Sequence, residues 1–377
     1  MGKLAIRILS ALLLLGALHG QAAHAQDGIS KDTILIGRSA GITGAIAARM
    51  KPATEAINAY FDAVNEAGGV NGRRLKLISM DDGNDPKRAA ENSRKLVTQD
   101  RVFTLFAQSG TPQTQAVVPL LAELQVPLVS TTSGADSIRK PSKYLFHTKA
   151  SYGQEIAKMV EHMASTGITR VAIVYSDDGT GREGSQLAEA ALQKNNLKAF
   201  VSIGFKPGEV KAALDKLARA DAQAVILVSL AGPGVDFYKE FVNLPNRPQV
   251  FTWSIMVVEA IYKEVGAKAY GLVVSQIVPL PSDRTVALVR EYQDLLKKAR
   301  LEDGGYSGLE AYVGARVLVE GLKRAGRAPT RESLIAALEG IHDLDLGGDV
   351  VNFQGDEHVG RKFVELTIVG RDGRFLR

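Results

Sequence analysis

Apolar runs of strand length alternate with stretches whose apolar residues recur at helical spacing along nearly the whole chain, the signature of parallel α/β sheets. Ile34 to Gly37 opens as a strand, and a loop rich in Gly and hydroxyls follows, Ser39-Ala40-Gly41-Ile42-Thr43-Gly44. Ile57, Tyr60, Phe61 and Val64 then keep i, i+3, i+4, i+7 spacing. Pro52 lies near the start of the helix they predict and Gly68-Gly69 at its stop. Leu75 to Met80, Val102 to Ala107 and Val126 to Ser130 repeat the strand theme. The helices between them place Ala89, Ser93, Leu96 and Val97, then Val117, Leu120, Leu121 and Leu124, on one face. A four-strand unit is predicted by about residue 145.

The pattern then starts again. Strands are predicted at Val171 to Tyr175, Ala199 to Ile203, Ala224 to Val228 and Val250 to Trp253, with Val210, Ala213, Leu214 and Leu217 as one helical stripe among them. Gly271 to Val278 is a further buried-strand run. Helical patterns over Val286 to Lys298, Leu309 to Lys323 and Ser333 to Leu338 follow. Val350 to Phe353 and Phe363 to Val369 close the chain as strands, with Arg371-Asp372-Gly373 as a turn. No low-complexity linker separates the two similar halves, so the chain is expected to cross between them directly.

The first 25 residues change the picture. Lys3 and Arg7 give a positive start, Ile8 to Leu18 an apolar stretch too short to span a bilayer, and Ala23-His24-Ala25 a small-x-small cleavage signal. They read as a signal peptide, with a mature chain from Gln26 that is soluble and outside the cytoplasm. Its loss removes Lys3 and Arg7 from a formal net charge of +5, and the remaining charges of both signs are interspersed. No basic stripe suits a phosphate backbone, so nucleic acid is not an expected partner. The sequence has no cysteine, which excludes disulfides, thiol catalysis and thiolate metal sites. His147, His162, His342 and His358 are not spaced as paired ligands, so neither a metal nor a cofactor is expected.

Motifs for catalysis are missing or misplaced. Gly179-Thr180-Gly181-Arg182-Glu183-Gly184 fits G-x-G-x-x-G, yet Asp177-Asp178 stands where a pyrophosphate would sit, and Ile203-Gly204-Phe205 lacks a ribose-binding acid. There is no G-x-x-x-x-G-K-[ST] loop and no G-x-S-x-G elbow. Asp81-Asp82 and Asp177-Asp178 could pass as acid/base pairs, but adjacent residues at a strand end point apart, and solvated loop charge is the plainer reading. The strand ends carry a different signal. Ser39 to Gly44, Gln108 to Thr111, Ser130 to Gly134 and Ser229 to Gly232, which includes Leu230, are rich in Ser, Thr and Gly where a doubly wound sheet faces its ligand crevice. Such residues also cap helices and turn loops. Three successive loops of one half together form an uncharged cradle for a small anion such as a carboxylate.

Several stretches resemble the substrate-binding proteins of branched-chain amino acid type ABC transporters, the Leu/Ile/Val-binding family of type I periplasmic binding proteins. They are Ile34 to Gly37, Ala63 to Arg74 (AVNEAGGVNGRR), Asp81 to Pro86, Ser130 to Gly134, Val174 to Asp178 leading to Gly181 and Gly184, and Gly271 to Gln276. The resemblance implies two doubly wound α/β lobes joined by three crossing strands, closing on a ligand by a hinge. By similarity, residues 27–147 and 279–347 form one lobe and 148–278 and 348–377 the other.

The resemblance also implies site residues. The ligand carboxylate falls to Ser109 and to the loop holding Thr132, Ser133 and Gly134, with Lys149 and Tyr152, just past the first crossing, as further contacts. Thr180 stands where family members carry an aromatic that packs on the ligand. Ser254 stands where those that bind aliphatic amino acids carry a glutamate for the ligand ammonium. A buried ammonium without a carboxylate is costly, so this departure favours an organic acid without an α-amino group unless Asp178 supplies the missing charge. The expectation is a monomeric, non-catalytic solute-binding protein that serves an inner-membrane ABC permease. A ligand-sensing regulator on the same fold and an exported enzyme are the alternatives.

Overall fold

The computed structural model describes residues 27–377 except Ala45, Val257, Gln354 and the side chain of Glu259; the expected signal peptide lies outside the described residues. The first unit runs β1 (Thr33–Ala40), α1 (Ala47–Glu66), β2 (Arg74–Asp81), α2 (Pro86–Thr98), β3 (Thr104–Gln108), α3 (Thr111–Glu123), β4 (Leu128–Thr131) and β5 (Leu145–Phe146). Its strands form a five-stranded parallel sheet in the order β2-β1-β3-β4-β5. The second runs α4 (Tyr152–Ser165), β6 (Val171–Ser176), α5 (Gly179–Lys194), β7 (Ala199–Phe205), α6 (Val210–Arg219), β8 (Ala224–Val228), α7 (Ala231–Phe241), β9 (Gln249–Thr252), α8 (Val258–Val265) and β10 (Val273–Gln276). There the parallel run β7-β6-β8-β9-β10 repeats the first order. The chain continues as α9 (Ala287–Ala299), α10 (Gly305–Arg324), α11 (Arg331–Glu339), a small hairpin of β11 (Leu344–Asp345) and β12 (Val350–Val351), then β13 (Glu365–Val369) and β14 (Phe375–Leu376). β13 adds antiparallel to β10 and β14 antiparallel to β13, which completes a seven-stranded sheet.

The sequence pattern explains these elements. All five residues of β8, Ala-Val-Ile-Leu-Val, are buried, as a central strand covered on both faces requires. Helix α6 buries Ala213, Leu214 and Leu217 on its one apolar stripe. Asp85 caps α2 by accepting from the Arg88 N–H, with Pro86 at the first helical position, and Ser151 and Gln154 form a capping box on α4.

Three details differ from the sequence expectation. Helix α1 begins at Ala47, which leaves Pro52 inside it. A fifth strand, β5, joins the first sheet, only two residues long and so without readable alternation. Val350 and Val351 pair in the small hairpin, outside both main sheets.

The order of packing positions the cleft. Helices α9, α10 and α11 come after the second unit's parallel strands, yet Leu288, Val313, Leu318 and Leu334 join Ile36, Phe61 and Phe106 in the core of the first sheet. Phe353 belongs to that core too, edge-on to Phe146 at 5.4 Å. The chain therefore passes between the sheets near residues 147–149, 277–278 and 359–361. His147 N–H donates to the His358 carbonyl at 2.9 Å and Gly360 N–H to the His147 carbonyl at 2.8 Å. Arg361, 1 % exposed, donates to the carbonyls of Thr148 (2.8 Å) and Ile277 (2.9 Å) and pairs with Asp349, so one guanidinium ties all three passages together.

Candidate functional site

The strand ends of the first sheet build one wall of the cleft. The Asp81 carboxylate accepts from Ile42 N–H (2.9 Å), Thr43 N–H (3.1 Å), the Thr43 hydroxyl (2.5 Å) and Gly83 N–H (2.9 Å), which folds the loops after β1 and β2 together. Those bonds, the Thr43 hydroxyl first, hold its pKa down at about 2. Gly41, in the loop so fixed, donates its N–H to Ser109 Oγ at 2.9 Å. Gly110 N–H donates to Thr132 Oγ1 at 3.2 Å, and Ser133 Oγ lies 2.7 Å from Thr111 Oγ1 and accepts from Ala135 N–H at 3.2 Å. Gly134 accepts the Tyr152 N–H at 2.7 Å, and a Cβ there would meet the Tyr152 ring at 2.6 Å, so only glycine lets the ring lie this close.

Charge sits directly behind this wall. Lys149, 1 % exposed, donates to the Thr132 carbonyl at 3.0 Å and pairs with Glu310 Oε1 at 2.9 Å. Arg49 on α1 pairs with Glu310 Oε2 at 2.6 Å. Burial would raise the Glu310 pKa, but Lys149 and Arg49 outweigh it and keep the carboxylate ionised. Arg38, also buried, donates to Thr54 Oγ1 (2.7 Å) and the Ala107 carbonyl (3.3 Å), and burial lowers its pKa to about 10. Among the described residues, Glu310 is the only carboxylate in ion-pair contact with any of these three cations. Arg38, Arg49, Thr131, Thr132 and Glu310 line one small pocket.

The opposite wall comes from the second sheet. Ser254, just past β9, donates its N–H to Glu155 Oε2 (2.8 Å) and its hydroxyl to Glu155 Oε1 (2.9 Å); Ser275 Oγ donates to Oε2 at 2.6 Å. Glu155 lies in the first turn of α4, fully buried, and burial raises its pKa. Asp178 caps α5 by accepting from Gly181 N–H at 2.9 Å; Thr180 is buried on that helix, and Leu230, before α7, is 42 % exposed. Two of the G-x-G-x-x-G glycines, Gly181 and Gly184, are packing residues, whereas Gly179 has open space beside it. A Cβ on Gly181 would lie 1.9 Å from the Ser176 carbonyl oxygen and one on Gly184 2.3 Å from Val228, so α5 sits directly on its sheet. A cleft of about 480 Å³ opens beside Arg49, Ser254, Gln276, Met256, Tyr306 and Phe375. The two sides meet where Arg49 Nη1 donates to the Ser254 carbonyl at 3.2 Å, where Ser137 bonds both Glu183 oxygens at 2.9 and 3.0 Å, and where the Tyr306 ring stands edge-on to Phe375 at 5.2 Å.

Ser109, Thr132, Ser133, Gly134, Lys149 and Tyr152 thus form one linked cluster. Ser254 faces it through Arg49, and Asp178, Thr180 and Leu230 occupy strand ends of the second sheet. Asp82, read from sequence as solvated loop charge, is instead fully buried and accepts from Ser39 Oγ (2.9 Å) and Asn84 N–H (2.9 Å). Sequence reasoning missed Arg38, Arg49, Glu155, Ser275 and Glu310. The one available signal was a charge beside an apolar run, as in Arg38 after Ile34 to Gly37.

Comparison with known proteins places this geometry in context. The family model described as periplasmic binding protein matches residues 33–372. The leucine-, isoleucine-, valine-, threonine- and alanine-binding protein of Pseudomonas aeruginosa is 23% identical, with 92% of this chain and 94% of that protein covered. The Leu/Ile/Val-binding protein homolog 3 of Brucella melitensis is 25% identical, and there the match takes 51% of this chain and about half, 53%, of the relative. The crystal structure of a substrate-binding periplasmic protein from Ralstonia solanacearum superposes with a TM-score of 0.83 at 28% identity, covering 91% of this chain and 99% of that one.

Proposed function

The chain belongs to the periplasmic binding protein family, and on that premise we propose that it is an exported, non-catalytic solute-binding protein. It captures a small carboxylate-bearing solute, an amino acid or an organic acid, between its two sheets and delivers it to an inner-membrane ABC permease. Residues 27–147 with 279–347 act as one lobe and 148–278 with 348–377 as the other, although Val351 and Phe353 pack in the first lobe's core and the last crossing comes at 359–361. The charge ratio of the first wall carries the carboxylate assignment. Arg49 and Lys149 share Glu310, Arg38 has no carboxylate in ion-pair contact among the described residues, Asp82 and Glu155 act on Arg38 and Lys149 only from farther off, and Arg38 and Arg49 line the pocket that an anionic group would reach. The hydroxyl of Ser109 supports the same reading, because it accepts from Gly41 and keeps its proton to donate.

The test is a thermal-shift panel of amino acids, aliphatic acids and aromatic acids on the purified protein. Saturation at about 100 times the dissociation constant adds roughly 2.7 kcal/mol, and at roughly 2 to 4 °C per kcal/mol the midpoint rises by several degrees. A midpoint unmoved by every acid would sink the reading. Chemical conversion of a stabilising acid on prolonged incubation would favour an enzyme instead.

A further inference from the structure

Ser254 has nearly all of its hydrogen-bonding capacity committed. Its N–H and its hydroxyl donate to Glu155 at 2.8 and 2.9 Å, and its carbonyl accepts from Arg49 across the cleft. In its ionised form Glu155 only accepts hydrogen bonds, so the serine's single hydroxyl proton then points at it and only oxygen lone pairs remain for the cleft that Ser254 lines. Glu155 is fully buried and has no ion-pair partner among the described residues; Ser254 and Ser275 satisfy it. Burial raises the Glu155 pKa, while Lys149, acting without ion-pair contact, and the bonds from two serines at two different strand ends favour the ionised form, which fixes the polarity of the wall in front of it.

We propose that Glu155 is a positioning residue that sets ligand specificity, holding the Ser254 hydroxyl as a pure acceptor so that the captured acid must present a hydrogen-bond donor there, an amine rather than a keto oxygen. The inference rests on the carboxylate-solute reading and narrows it to amine-bearing acids. The negative charge whose absence at position 254 favoured a desamino ligand stands one side chain behind it. Asp178, the other source of that charge, has one oxygen engaged in capping α5.

Calorimetric titration of the full-length mature chain with matched pairs tests this: leucine beside 4-methyl-2-oxopentanoate, phenylalanine beside phenylpyruvate, and glutamate beside 2-oxoglutarate. In the parent, the amino member of at least one pair should bind roughly tenfold to a hundredfold more tightly. In Glu155→Gln the amide nitrogen donates to Ser254 Oγ and turns the hydroxyl proton to the cleft, so the ratio falls to about one or inverts. Ser254→Ala, a milder change that keeps Glu155, abolishes the ratio by removing the acceptor, and unliganded melting checks that both variants fold. Equal binding of both pair members in the parent, or a ratio that survives both variants, would overturn the inference. So would a ratio lost only in Asp178→Asn. If none of the six acids binds, the carboxylate-solute reading fails and takes the inference with it.

Discussion

The two walls of the cleft stand on sheets of the same strand order, yet their chemistry is opposite. The first wall is backed by Arg38 and by Arg49 and Lys149, which share Glu310, whereas the second is backed by Glu155 held by serines. Strand order therefore locates the crevice, and the side chains buried one layer behind it decide which charge each wall favours.

Breaking the first wall's charge set gives the largest expected effect. Lys149 is buried and contacts Glu310, so Lys149→Met should destabilise the fold toward the lower end of the roughly 3 to 5 kcal/mol seen on removing one member of a buried pair, because Arg49 still holds the other Glu310 oxygen. Urea unfolding measures it. The double variant Lys149→Met with Glu310→Leu should regain much of that loss, and a double variant no more stable than the single would show that the pair is not the unit described here.

Arg49→Met sharpens the comparison in another way, since Arg49 pairs with Glu310 on one wall and donates to the Ser254 carbonyl on the other. It should weaken acid binding by about 1.5 to 3 kcal/mol, roughly tenfold to a hundredfold, on top of a loss of unliganded stability smaller than that of Lys149→Met, because the Arg49 side chain is less buried than that of Lys149. Ser109→Ala is expected to fall within the same range but lower, as a neutral hydroxyl contributes less than a guanidinium. Parent-like affinity in Ser109→Ala, measured by titration, would move the anion cradle away from that strand end.

Much of this was legible in the sequence, because the apolar runs of a doubly wound sheet are long, buried and separated by readable helices. Two-residue β5 was not, nor was the entry of Pro52 into α1, since neither leaves a periodic trace. The hydroxyl-rich strand ends were readable for the same reason, and the cluster of Ser109, Thr132, Ser133 and Gly134 follows from them. The charges were harder. Lys149 meets Glu310 across 161 positions of chain, and Glu155 meets Ser254 across 99 and Ser275 across 120. Each looks like an ordinary surface charge until the fold removes it from water.

The smallest expected effect concerns what holds the first wall's loops. Asp81 organises residues 41 to 43 and so seats the Gly41 N–H on Ser109; in the second wall Asp178, after β6, caps a helix instead. Hydrogen bonds, led by that from Thr43, depress the folded-state pKa of Asp81 to about 2 from 3.8. An acid with a depressed folded pKa contributes stability that is present above its unfolded pKa and lost as pH falls through the folded one. The contribution of Asp81 should thus be full above about pH 5 and vanish toward pH 2. Asp81→Asn isolates it: the difference in melting midpoint between parent and variant should hold constant from neutral pH to about 5 and close as the pH approaches 2. A gap that stays constant into strong acid would mean that the Asp81 bonds do not depend on its charge, and that both walls are held by neutral caps alone.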